Sequence, residues 1–442
     1  MAENKGYHGV AADLINDDNL SIGDRIQVDT SEDSFEGILM PRYELADENH
    51  IVLKLKNGYN LGIHIKKITK LSKLSTGNAP TYRSQESQSV NNHLPRVLIV
   101  STGGTIASRI DYRTGGVYPA LTANELYSAV PELSEVANID AEVLFSVFSE
   151  NISPNHWKIL AKRIGAAVNE GYNGVLVTHG TDTMGYTSAA MSFALRNLPI
   201  PVLFVGAQRS SDRPSSDAAL NLKAATLIAS KAPFAGVFLV MHSGLNDNLI
   251  SVHRGVTVRK NHTSQRAAFE SINTSIVASV ENGAISCVSK NIAKRGDLKD
   301  FKLLPEFDEK VVLVKFYPGF NSEILDFLLE KKVHGIVLEG TGLGHVGHSC
   351  YQSIKKFINN DVLVGMTSQC IWGRVNMTVY ETGRDLLALG VTPLDSILPE
   401  TALAKMMWIL ANTNNVKEAR NMLTQNLVGE LTSRLHINRC DI

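Results

Sequence analysis

Two short stretches of this 442-residue chain concentrate the residue types of covalent chemistry. The first is Ser101-Thr102-Gly103-Gly104-Thr105-Ile106-Ala107, directly after the apolar run VLIV; the second is Thr178-His179-Gly180-Thr181-Asp182-Thr183, directly after GVLV. Glycine lets a backbone turn tightly and approach a ligand closely. A hydroxyl becomes a useful nucleophile once a neighbouring base or cation activates it. Neither stretch is a phosphate loop, because there is no GxxxxGK[ST] and Gly103-Gly104 lacks the third glycine of the dinucleotide fingerprint. The residue types fit a hydroxyl nucleophile better than a phosphate site. Taken singly, each stretch reads first as an ordinary strand-to-helix turn, since Gly, Ser, Thr and Asp are common turn and N-cap residues.

A sheet must hold both turns at one edge if they are to act together. The runs RVLIVS, EVLFSVF, GVLVTH, PVLFVG and GVFLVM, separated by helical stretches near 155–169, 184–197 and 217–230, predict a parallel sheet buried on both faces. In such sheets ligands lie outside the carboxyl ends of the strands, where both turns fall. A second series, KVVLVKF, GIVLEG and DVLVGM, with helices from about 321, 348 and 400, predicts a smaller α/β domain. Ahead of them, residues 1–19 read as polar and loose, and short alternating stretches from Gly23, with Asn57-Gly58 as a two-residue hairpin turn, predict a small all-β module. The expected organisation is a β module at 1–75, a polar linker at 76–94, a larger α/β domain with the nucleophile motifs at 95–290, a charged interdomain linker at 291–309, and a smaller α/β domain at 310–442.

Composition removes several function classes. Lys plus Arg total 43 against 44 for Asp plus Glu, so no bulk basic field holds nucleic acid, and such contact belongs to a local patch or a partner. Four widely spaced cysteines form no CxxC pair, which suits a reducing cytoplasm rather than a disulfide scaffold. Nowhere do 18 apolar residues run together and the start has no apolar h-region, which argues against membrane spanning and export.

In their order and on their strand ends, the two turns together resemble the TGGTIA and HGTDT signatures of the bacterial-type asparaginase and glutaminase family. The resemblance covers roughly residues 95–425 and implies a two-domain asparaginase-like body. It assigns the nucleophile to Thr105, the activating pair to Thr181 and Asp182, the family's lysine to Lys260 nine residues before Phe269, and a loop tyrosine to Tyr112 in DYRTGGV. It also assigns Ser149 to the substrate carboxylate, with Glu150 beside it, and the backbone at Gly104 and Gly180 to the substrate amide. A lysine desolvated between a hydroxyl and a carboxylate can share a proton with the nucleophile, although the carboxylate opposes its deprotonation.

A plain asparaginase leaves the first 94 residues unexplained. Those residues, with VRKNHTSQRAAF and the DYRTGGV loop, resemble the D-subunit family of archaeal glutamyl-tRNA(Gln) amidotransferases. That resemblance implies an SH3-like barrel over 20–75, glutamine as amide donor, a homodimer core in a heterotetramer, and a partner, the amidotransferase E-subunit, that binds tRNA and uses ATP with Mg2+. No cofactor or metal is then expected in this chain. Two other readings stay open: a free-standing L-asparaginase or glutaminase, and a catalytically silent α/β binding protein. Weaker still are His345, His348 and Cys350 as metal ligands, for which His345 as a substrate neighbour is the alternative. The SxxK match at Ser353 to Lys356 reads as a solvated helix face, and Arg209, Asp212 and Arg213 as a structural loop.

Overall fold

The computed structural model describes residues 7–42, 47–57, 59–76, 93–104, 106, 108–110, 117–119, 130–209, 215–244, 246–289, 291–296 and 298–435. Thr105, Tyr112, Asp212, Arg213 and most of the polar stretch at 76–94 lie outside them.

Near the amino terminus, strands Arg25–Thr30, Ser34–Leu39, His50–Leu55, Asn60–His64 and Ile68–Ser75 form an antiparallel sheet in the spatial order fourth, third, second, first, fifth. Alternation buries Ile26, Val28, Ile51, Leu53 and Ile63 on one face. The two edge strands are consecutive in the chain and joined only through the Ile65–Lys67 turn, so the sheet must curl to bring its edges together there. The opening residues are not all loose. Gly9–Asp17 is a helix that inserts Ala11 and Ile15 into this core. Its buried stripe is only two residues four apart in a nine-residue segment, too short a pattern to stand out in sequence. Of the expected Asn57-Gly58 turn, Gly58 lies outside the described residues; on either side of it the Leu55 N–H donates to the Tyr59 carbonyl.

The larger domain is an eight-stranded sheet. Five parallel strands run Gly236–His242, Pro201–Val205, Gly174–Thr178, Arg96–Ser101 and Asn138–Val143, and three antiparallel strands, Leu249–Arg254, Ala278–Glu281 and Ala284–Cys287, extend the 236–242 flank. The sheet is therefore mixed. The strand expected at EVLFSVF sits earlier, at Asn138–Val143, and Leu144–Phe148 forms its exit. It is an edge strand, where half-buried alternation rather than an unbroken apolar run marks the pairing residues. Helices Pro154–Asn169 and Met184–Ala194 cover Leu98, Val100, Val175 and Val177 on one face, while helix Ala218–Lys231 covers Val97, Ile99, Leu176 and Leu203 on the other. The Met184–Ala194 helix stops three residues short of its expected end, because Leu195–Arg196 pairs instead with Lys302–Leu303.

In the smaller domain, strands Val311–Lys315, Gly335–Gly340, Leu363–Ser368 and Thr392–Pro393 are parallel. Helices Glu323–Glu330, Tyr351–Asn359 and Glu381–Leu389 supply Leu325, Ile354, Phe357 and Leu386 to the core on one side of this sheet. Helix Pro399–Asn412 lies on the other side and packs also against the larger domain, where Trp408 stacks on Phe193. One apolar core thus runs through that helix from domain to domain. No helix among the described residues is long and apolar enough to cross a membrane.

Candidate active site

Strands Arg96–Ser101 and Gly174–Thr178 are parallel neighbours with Ser101 opposite Thr178, so the two glycine turns leave the sheet side by side. The Asn138–Val143 strand aligns Val143 with Ser101 on the other flank, which brings a third turn, Ser149–Asn151, to the same edge. Hydrogen bonds fasten the three. The Thr102 N–H and hydroxyl both donate to the Thr178 carbonyl, at 3.1 and 2.8 Å, and the Thr183 hydroxyl donates to the Ser149 carbonyl at 2.7 Å.

Glycine is required at the contact between turns. Gly104 has φ +84°, and a Cβ there would lie 2.7 Å from the His179 carbonyl carbon and 2.8 Å from the Gly180 nitrogen. A Cβ on Gly180 would lie 2.7 Å from that of Ser149. Gly104, Gly180 and buried Ser149 therefore form one closely packed floor, and Glu150 beside Ser149 is exposed.

Lys260 arrives from a separate element. It ends the short strand Val258–Lys260, paired antiparallel to Phe269–Ser271 with Lys260 directly opposite Phe269. The nine-residue spacing seen in sequence is thus the two arms of a hairpin, which the Asn261 N–H closes onto the Ala268 carbonyl at 2.7 Å. The Lys260 ammonium donates to the Thr181 hydroxyl at 2.9 Å and to Asp182 Oδ1 at 2.7 Å. Its side chain is 13% exposed, whereas that of Asp182 is 70% exposed. The cation is sheltered beside the hydroxyl, and its carboxylate partner faces solvent, where it is free to meet a second cation.

Beneath the turn lies a relay that sequence reading missed. Trp157 Nε1–H reaches the Thr187 hydroxyl at 3.1 Å, Thr187 lies 2.9 Å from His179 Nε2, and His179 Nδ1 lies 2.7 Å from the Gly180 carbonyl. These contacts are all satisfied if His179 is neutral with its proton on Nδ1. Burial pushes the His179 imidazole down to about 4, against a weaker opposing effect of the Gly180 carbonyl. The relay holds the HGTDT turn from behind, and the 30 residues between Trp157 and Thr187 leave no local pattern to reveal it.

His345 Nδ1 contacts the Thr382 hydroxyl at 3.1 Å, Cys350 is buried, and among the described residues no cluster of His, Cys, Asp and Glu is placed to hold a metal ion. Ser353 and Lys356 both contact Asp326 Oδ1 at 3.0 Å, which accounts for the SxxK spacing as a tie between helices. The Arg209 guanidinium donates to the Ser215 hydroxyl at 2.7 Å across its loop, and Asp217 fastens the same loop by accepting the backbone N–H groups of Gln208 and Arg209 at 3.1 and 3.0 Å.

Comparison with known proteins matches the same parts. Residues 96–293 match the family described as asparaginase, N-terminal, residues 310–423 the glutaminase/asparaginase C-terminal domain, and residues 20–74 the GatD N-terminal domain. The L-asparaginase of Thermococcus kodakarensis superimposes with a TM-score of 0.68 at 31% identity, covering 76% of this chain and 99% of its own. L-asparaginase I of Vibrio cholerae gives 0.66 at 28% identity, covering 77% and 99%. The body therefore has the asparaginase fold. The D-subunit of glutamyl-tRNA(Gln) amidotransferase from Pyrococcus abyssi is 49% identical over 426 residues, covering 95% of this chain and 97% of the relative. Its counterpart from Thermofilum pendens is 47% identical over 440 residues, covering 97% of each. Similarity of this extent runs through the amino-terminal module as well as the catalytic body, and by it the chain belongs to the D-subunit family of glutamyl-tRNA(Gln) amidotransferases.

Proposed function

We propose that this chain is the glutamine-hydrolysing subunit of a tRNA-dependent amidotransferase that converts Glu-tRNA(Gln) to Gln-tRNA(Gln). The observation that carries this reading is the amino-terminal module. Asparaginases matched over nearly their whole length leave about a quarter of this chain uncovered, whereas the D-subunit relatives extend across it.

In the proposed reaction the Thr105 hydroxyl attacks the side-chain amide carbon of glutamine, its proton passing toward the Thr181–Lys260 pair. The oxyanion is met by backbone N–H groups of the glycine turns, including Gly104 and Gly180. Collapse expels ammonia and leaves a glutamyl ester on Thr105, which water hydrolyses to glutamate. Asp182 and Glu150 take the substrate ammonium, Ser149 takes its carboxylate, and Tyr112 is the loop tyrosine of the catalytic set. The contacts of Lys260 with Thr181 and Asp182 support the assignment of those three as one unit.

The ammonia is consumed by a partner, the amidotransferase E-subunit, which binds the tRNA and uses ATP with Mg2+ to activate its glutamate. This chain needs no cofactor of its own for amide hydrolysis. The proposed assembly is a homodimer of this chain carrying two copies of the partner, working in the cytoplasm. Free ammonia in water at neutral pH is mostly ammonium, a poor nucleophile, so transfer requires an interface that excludes solvent. The test is ammonia release from glutamine and asparagine, measured for the chain alone and coexpressed with the partner, with and without ATP and Glu-tRNA(Gln). Glutamine hydrolysis that rises with charged tRNA supports the reading. Fast asparagine hydrolysis indifferent to partner and tRNA replaces it with a free-standing asparaginase.

A further inference from the structure

A cleft of about 760 Å³ opens well away from the catalytic turns. Its wall takes Ser192, Leu195 and Arg196 from the carboxyl end of the Met184–Ala194 helix, whose amino end carries Thr181 and Asp182. Eleven residues of helix set the two ends roughly 16 Å apart. The wall also takes Gly236–Phe238 from the start of a strand whose carboxyl end belongs to the catalytic edge of the sheet.

Three arginines, Arg196, Arg254 and Arg434, line this cleft, and among the described residues no Asp or Glu does. The nearby carboxylate, Glu430, is fully buried and already used: it pairs with Lys405 at 2.7 Å and accepts the Leu427 and Val428 N–H groups at 2.9 and 2.7 Å. Among the described residues Arg254 donates to the backbone carbonyls of Asn291 and Val428, at 3.0 and 3.5 Å. Arg196 leaves Nη1 buried without a hydrogen-bond partner. A guanidinium keeps its charge and presents five N–H donors in a fixed fork. Arg196 lies over the Trp408 ring at 5.9 Å and Glu430 attracts both half-buried guanidinium groups, but among the described residues neither makes a direct ion pair, and an anion in the cleft would supply one. The volume is that of a small-molecule site. Asn197, Asn291, Asn426, Ser275 and Ser289 supply the amides and hydroxyls that suit a sugar better than a bare carboxylate.

We propose that this cleft binds a phosphate ester of nucleotide size, either a free nucleotide or one unit of an RNA backbone, with Arg196 and Arg254 anchoring the phosphate and Arg434 at the rim. The site does not depend on the amidase reading, since it shares no residue with the catalytic cluster. Its test is calorimetric titration of the full-length chain at low salt with AMP, with inorganic phosphate and with a short polyuridine RNA. AMP or the RNA should bind, and Arg254→Gln and Arg434→Gln should each weaken binding by about tenfold or more, the loss expected for one charged hydrogen-bonding group. Tighter binding of RNA with a steep salt dependence assigns the source to a nucleic-acid backbone, and tighter binding of AMP to a free nucleotide. Arg434 is exposed, so its variant carries the test if Arg254→Gln lowers the thermal midpoint. Binding of inorganic phosphate alone, absence of binding up to millimolar concentrations, or affinity unchanged in the Arg196→Gln, Arg254→Gln, Arg434→Gln triple variant would overturn the proposal.

Discussion

At the scale of single residues, Thr102 in the TGGT turn has a structural duty. Thr102 is buried, and its hydroxyl is committed to the Thr178 carbonyl at 2.8 Å, a bond that fixes one turn to the next strand. Thr102→Val should therefore cost about 1 kcal/mol of stability and leave kcat within a few-fold, because the same carbonyl keeps its bond from the Thr102 N–H. Thr105→Ala should abolish ammonia release while the unfolding midpoint stays near wild type; near-normal release would remove Thr105 as nucleophile. For the activating group, Thr181→Val and Lys260→Met should each lower kcat by orders of magnitude, and the double variant should lose little more. Additive losses would mean that the 2.9 Å contact between them is not one catalytic unit. If Lys260 only secured the Asp182 turn, its variant would lose stability with a modest kinetic change.

Among the elements, buried histidines make the larger domain sensitive to acid. His179 behind the catalytic turn and His253 on the Leu249–Arg254 strand are both pushed down to about 4 by burial. An unfolded chain takes up protons at these imidazoles near pH 6.5, before the folded chain does. The folded form then binds fewer protons, so their contribution is complete above pH 6.5 and is lost as pH falls from there to about 4. Each shift corresponds to on the order of 3 kcal/mol. Urea midpoints should thus fall between pH 7 and pH 5, and His253→Gln should flatten that fall; a wild-type midpoint independent of pH over this range would contradict the assignment. Glu400 acts in the opposite sense. Burial raises its carboxyl against the attraction of Arg259, so ionising it costs stability as pH rises from the ordinary carboxyl range to its raised value.

For the whole molecule, two features set what can be removed. The amino-terminal core is built from Tyr7 to Leu71 and contains no residue of the catalytic body. A chain starting at Pro95 should therefore fold and keep basal amide hydrolysis while losing the stimulation by partner and charged tRNA; loss of basal hydrolysis with the fold intact would place the module inside the catalytic machinery. The carboxyl-terminal end is different, because Lys405 and Glu430 form an ion pair with both side chains fully buried, locking the 423–430 hook onto the helix between the domains. Lys405→Met leaves a buried carboxylate without its cation and should cost about 3–5 kcal/mol, read by thermal unfolding.

Much of this was legible in the chain itself. Apolar runs followed by Gly-containing turns marked the parallel strands, because a strand buried on both faces has to be continuously apolar. The two threonine turns were legible because nucleophile chemistry requires particular residue types within a few positions of a strand end. Sequence reading failed where the signal was shared with distant residues. The strand at Asn138–Val143 takes its place from pairing with Arg96–Ser101, so the louder apolar run after it misled the reading. Gly9–Asp17 is a helix only because the β module offers Ala11 and Ile15 a surface. Lys260 stood next to nothing in sequence, and only the hairpin that sets it opposite Phe269 and the sheet that holds Thr181 bring its ammonium to the hydroxyl. Local composition determined which residues were able to do chemistry; long-range pairing and burial decided which of them meet, because those forces act between groups the chain keeps tens of residues apart.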